Sequence, residues 1–110
     1  MIKAVFKVSG KKVVGFDLSG HAGTADHGQD VLCAAVSGAT QCVNAVIEDA
    51  MCLENSFSVE DGESNRIICD LSAQSNVPES AYKVLEGFLL TMEMWEEDFP
   101  KNIKVKRQHI

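Results

Sequence analysis

The stretch from Gly20 to Ser37, GHAGTADHGQDVLCAAVS, sets how the rest of the chain is read. It holds two of the three histidines, two aspartates and one cysteine. It opens as a glycine-bearing loop and closes as an apolar-periodic run. Upstream, Ile2 to Ser9 is rich in strand formers, GKK makes a turn, and Val13 to Ser19 places Val14, Phe16 and Leu18 on one face with a period of two, so a hairpin precedes the loop. Downstream, a helix is expected from about Asp30 to Leu53. Leu32, Ala35, Val36, Ala39, Val43, Val46, Ile47 and Ala50 recur on one face of it. Asp30 suits its N-cap, because a carboxylate there accepts from early N–H groups and faces the positive end of the helix. Gly38, in mid-helix, suggests a point of close packing.

Phe57–Glu60 and Arg66–Leu71 flank the turn-rich DGESN and predict a second hairpin. Pro78 fits the start of a second helix striped by Ala81, Tyr82, Leu85, Phe88, Leu89, Met92 and Trp95, and Pro100 lies just past its end. Ile103 and Val105 alternate with lysines, as in a short charged edge strand. The order β-β-α-β-β-α-β predicts an α+β fold, a mainly antiparallel sheet covered by two helices, in a single domain over residues 1–110. The acidic run EMWEEDF reads as a solvated helix face.

The chain's 16 acidic against 10 basic side chains give a net charge of −6. That argues against direct binding of nucleic acid, where affinity rests on clustered cations, and is compatible with a basic partner. No run approaches the roughly 18 continuous apolar residues of a membrane helix, and lysines interrupt the N-terminal apolar residues, so no signal-peptide core is present. No membrane association and a cytoplasmic location are the expectations. The four cysteines then read as thiols, and without a C-x-x-C pair a zinc ribbon is not indicated.

Cys33 falls early in the expected helix, where a positive dipole end and free N–H groups favour a thiolate and could supply an oxyanion hole. On the helical wheel it sits at the edge of the apolar stripe, and Ser37, Thr40 and Asn44 continue that edge, which borders a polar groove. Cys42 and Cys69, among apolar neighbours, read as packing thiols. Two readings of Cys33 stand side by side: a small buried side chain of the kind free cysteine often is, or a nucleophile activated by His21, which follows a strand end and can meet the helix start if Gly23 and Gly28 let the loop fold back. A zinc site built from His21, His27, Cys33 and Asp26 or Asp30 is a rival reading, but spacings of six residues do not match the tight ligand pairs of structural sites, so no metal and no cofactor are implied. His27 reads as a loop residue and His109 as solvated.

The stretch resembles the signature of the bacterial ribosomal-processing cysteine protease family, Prp: G-H-A, a variable loop, G-x-D, then C-A-[AG]-x-S. Gly20, His21, Ala22, Gly28, Asp30, Cys33, Ala34, Ala35 and Ser37 stand at matching spacing. The resemblance implies a cysteine endopeptidase with His21 as general base and Cys33 as nucleophile. It places Asp30 at the motif's acidic position, either orienting His21 or capping the helix, and Ser37 one turn beyond the cysteine in a supporting role. Gly20, Gly23 and Gly28 would belong to a flexible loop that covers the substrate. The implied substrate is a basic partner, the large-subunit ribosomal protein L twenty-seven, which loses an N-terminal extension by a cut after an aromatic residue. The implied assembly is a homodimer. The alternative is a non-catalytic, ribosome-associated binding module of the same fold.

Overall fold

The computed structural model describes residues 1–20, 27–60 and 66–110, and the side chains of 27–30 are excluded from the description. Five strands, β1 (Ile2–Ser9), β2 (Lys12–Ser19), β3 (Phe57–Glu60), β4 (Arg66–Asp70) and β5 (Ile103–His109), form one sheet in the order β3-β4-β2-β1-β5. Two helices, α1 (His27–Asn44) and α2 (Glu79–Asp98), complete the expected element order. The β1–β2, β2–β4 and β3–β4 pairs are antiparallel. The β1–β5 pair is parallel, with Ile2 opposite Ile103 and Val8 opposite His109, so the sheet is mixed.

Strand alternation sends Ile2, Ala4, Phe6 and Val8 of β1 to the buried face, with Phe16 and Leu18 of β2 and Cys69 of β4. The stripe of α2 meets them with Ala81, Leu85, Phe88, Leu89 and Met92, all buried. Phe6, Phe16 and Phe88 interlock with ring centroids 5.2–5.7 Å apart, and Phe57 joins edge-on to Phe16. Such tilted aromatic pairs add to the burial of their large apolar surfaces. From α1 come Leu32, Val36 and Val43, and from the segment after it Ile47.

The first helix departs from expectation at both ends. It begins at His27, so Gly28 lies inside the helix and not in the preceding loop, and Asp30 is its fourth residue and not its N-cap. Beyond Asn44 the chain widens into a π-helical segment, Ala45–Ala50, closed by Met51 N–H donating to the Val46 carbonyl at 2.8 Å. Cys52 follows in a left-handed conformation (φ 58°), which turns the chain toward β3. Glu48 fastens that turn by accepting the Phe57 N–H at 3.3 Å. Ala35 and Ala50, expected in the buried stripe, are exposed, and Gly38 faces open space and not a packed neighbour. No continuous apolar run reaches the length of a membrane helix, although the 20 residues Val31–Ala50, with polar residues interspersed, have a mean hydropathy of 1.4. Leu32, Val36, Val43 and Ile47 spend that apolarity on the core.

The acidic end of α2 does more than meet solvent. Glu93 receives Arg107 through two hydrogen bonds of 2.7 and 2.9 Å, and Glu96 accepts the Val105 N–H at 2.8 Å. Both carboxylates therefore tie edge strand β5 to the helix, and bidentate pairing is the stronger geometry for an Arg–carboxylate contact. On the open face of the sheet, Arg66 of β4 pairs with Asp17 of β2 and, at 3.4 Å, with Glu60 of β3.

Candidate active site

β2 delivers the chain to Gly20, and the geometry there is demanding. Gly20 has φ +87°, and a Cβ on it would lie 2.1 Å from the carbonyl oxygen of Met1. Only glycine combines that conformation with so close an approach. A residue assigned to a flexible cover is instead pinned against the start of β1. His21 and Gly23 lie outside the described residues, as do the side chains of His27, Gly28 and Asp30.

Cys33 is half-buried and packs on the rim of the core. With α1 starting at His27, it stands in the second turn of the helix. An interior N–H in an α-helix is directed to the carbonyl four residues back, here Gln29, so the expected first-turn oxyanion donor does not apply. The dipole advantage also fades beyond the first turn.

The four cysteines differ in their surroundings. Cys69 is fully buried, as expected. Cys42 is exposed, against the expectation of a packing thiol, because it lies on the side of α1 away from the sheet. Cys52 is exposed and its thiol donates to the Asp49 carbonyl at 3.5 Å. Burial pushes the Cys69 thiol up from 9.0 to about 12, with the Asp70 and Glu48 charges acting in the same direction. The folded state thus retains a proton that the unfolded chain releases above its lower pKa. This contribution to stability is complete below pH 9.0 and is lost as the pH rises toward 12. Urea titrations of the wild type at rising pH should show a decline of up to about 1.4 kcal/mol per pH unit in that window. Cys69→Ala should flatten it, and an equal decline in both proteins would contradict the assignment.

The edge of α1 that carries Cys33 continues through Ser37, Thr40 and Asn44, as the helical wheel predicts. These three line a groove of about 180 Å³ with Gln41, Phe57, Val59 and Ile67. Ser37 is exposed in the mouth of this groove, and Thr40 turns its hydroxyl back to the Val36 carbonyl at 2.7 Å. The apolar wall from β3 and β4 is the part that sequence reading missed. Strand periodicity marks Val59 and Ile67 as neighbours on one face, yet it does not say that α1 leaves them partly uncovered. A larger hollow of about 370 Å³ lies at the far end of the sheet around Gly10, Lys11, Arg107 and His109. It is lined by the turn opposite the Gly20 end of β2 and does not include the Cys33 edge of α1. No cluster suited to a metal ion occurs among the described residues.

The half-buried Cys33 thus stands one turn before Ser37, on the helix edge that goes on to line the groove. The family model described as cysteine protease Prp matches residues 1–104. The Bacillus subtilis ribosomal processing cysteine protease Prp is 33% identical over 108 residues, covering 96% of each chain. The chain belongs to the Prp family and is a cysteine protease. The crystal structure of a Streptococcus mutans protein matches with a TM-score of 0.85 at 27% identity, over 100% of this chain and 96% of that one. The Staphylococcus aureus ribosomal processing protease Prp, in complex with a substrate peptide, matches with a TM-score of 0.75 over 98% of this chain and 100% of that one. At 20% identity it attests the shared fold.

Proposed function

We propose that this protease removes the N-terminal extension of large-subunit ribosomal protein L twenty-seven, with Cys33 as nucleophile and His21 as its base, in the cytoplasm and without a cofactor. The observation that carries the reading is the groove that continues the Cys33 edge of α1, in a chain whose nine signature residues stand at the family's spacing. His21 takes the Cys33 proton as the sulfur attacks the scissile carbonyl, forming a C–S bond. Collapse of the tetrahedral intermediate expels the amine, protonated by His21, and leaves a thioester. His21 then draws a proton from water, which releases the acid and restores the thiol. In this reading Asp30, at the motif's acidic position, orients His21, and Ser37 stands one turn beyond the nucleophile.

A homodimer is part of the proposal. Val31, Ala34, Ala35, Gly38 and Cys42 are exposed on one side of α1, opposite the buried stripe, and so small and apolar a helix face suits close packing against a second copy. The basic substrate would approach a chain of net charge −6, which favours encounter at low ionic strength. The test is incubation with the extended ribosomal protein from the same genome, followed by mass measurement. A single new mass, smaller by the extension, is expected. An unchanged mass would remove the substrate assignment.

A further inference from the structure

We propose that the groove between α1 and β3 seats one bulky apolar side chain of the peptide being cut, two to five residues from the scissile bond, and that Asn44 holds the peptide there by accepting one of its N–H groups. The inference rests on the protease reading and adds the place and chemistry of substrate selection. On the helical wheel, Ser37 and Asn44 lie within roughly 40° of Cys33, so all three look out along one line. The helix rises about 1.5 Å per residue, which puts Ser37 about 6 Å and Asn44 about 16 Å beyond the nucleophile. An extended peptide advances about 3.3 Å per residue, so the groove spans residues two to five from the bond under attack.

Two independent features suit the groove to an extended peptide. The Asn44 side-chain oxygen is buried and accepts no hydrogen bond among the described residues, a state that costs free energy until a donor arrives. Val59 points to the helix-facing side of the sheet, where such positions are elsewhere buried, yet it is 63% exposed. Phe57 and Ile67 continue that apolar wall. The strand order makes β3 an edge. The Phe57 N–H already points away from β4, to Glu48, and alternation turns the backbone groups of Val59 the same way. An extended peptide can therefore lie along this edge, with main-chain bonds giving affinity and the apolar pocket giving selectivity. A folded partner or a small anion would not meet both features.

The probe is a fluorescein-labelled synthetic peptide spanning the cleavage junction of the proposed substrate. Val59→Lys should lower kcat/KM by about 10-fold or more, chiefly through KM, since a charge replaces the apolar wall. Asn44→Ala, which deletes a buried acceptor, should cost about 3- to 10-fold. Alkylation of Cys33 by iodoacetamide should keep its rate in both. A peptide series with each residue replaced in turn by aspartate should contain one member that Val59→Lys cuts better than the wild type does, which an unfolded variant cannot produce. Wild-type kcat/KM in both variants, with no such member, would overturn the groove while leaving the protease reading intact. If the wild type binds the peptide without cutting it and Val59→Lys weakens that binding by a similar factor, the groove stands and hydrolysis falls.

Discussion

Cys33→Ala is expected to lower kcat/KM for the extended ribosomal protein by at least about 10⁴-fold, because a nucleophile cannot be replaced by better positioning of the remaining groups. His21→Ala should cost nearly as much, and the double variant little more, since residues that act as one unit do not contribute additively. Ser37→Ala, one turn along, should cost no more than about 10-fold if its part is a single neutral hydrogen bond. The fold should tolerate Cys33→Ala with a loss of about 1 kcal/mol, as Cys33 is only half-buried at the rim of the core. Mass-resolved cleavage assays alongside thermal melts separate these effects. A Cys33→Ala protein that still processes its substrate would remove Cys33 from the chemistry, and attention would move to the exposed Cys42 and Cys52. The second-turn position of Cys33 makes the His21 result informative. With little help from the helix dipole, loss of the imidazole should slow the labelling of Cys33 by iodoacetamide.

Gly20→Ala should be the most damaging single methyl group in the chain. The backbone there has φ +87°, and the added carbon would sit 2.1 Å from the Met1 carbonyl oxygen. Left-handed strain costs about 1–3 kcal/mol and forced overpacking about 1–3 more. A loss near 3 kcal/mol corresponds to a fall in Tm of about 12 °C for a domain of this size. The displaced residue directly precedes His21, so activity should fall further than stability explains. A misplacement of about 1 Å at a catalytic group can cost about 10²-fold. Circular dichroism melts and single-turnover assays read the two effects. An unchanged melt would show that Gly20 does not approach Met1 so closely.

Local rules made most of the fold legible. Alternation in Ile2–Ser9 and Val13–Ser19, the strand runs on either side of DGESN, and the Pro78 and Pro100 boundaries each act within a few residues, and the corresponding elements are present, while DGESN itself lies outside the described residues. The parallel seat of β5 beside β1 was not legible, because it joins the two ends of the chain and no local pattern records strand order. Asp30 drew the expected helix start toward itself, since a carboxylate ahead of an apolar run looks like a cap. The helix in fact takes in His27, Gly28 and Gln29. Cys42 looked like a packing thiol from its apolar neighbours in sequence, but the wheel turns it to solvent. At the site, the wheel reading of Cys33, Ser37, Thr40 and Asn44 as one edge needed only helix geometry and matches the groove. The opposing wall of Phe57, Val59 and Ile67 depends on how far α1 overhangs the sheet, which is a tertiary quantity.

The contact between Gly20 and Met1 also bears on how the protein can be handled. The amino terminus is the neighbour of the residue that leads into His21, whereas the parallel pairing of β1 with β5 carries Ile110 to the other end of the sheet, where its N–H meets the Val8 carbonyl at 2.9 Å. The two termini are thus separated by about seven strand residues, roughly 23 Å. An affinity tag or fusion partner ahead of Met1 would crowd the end of the sheet that leads into His21 and, on the proposed reading, slow the entry of a protein substrate. The same tag after Ile110 would stand clear of it, so immobilisation, labelling and purification should all be carried out through the carboxyl terminus.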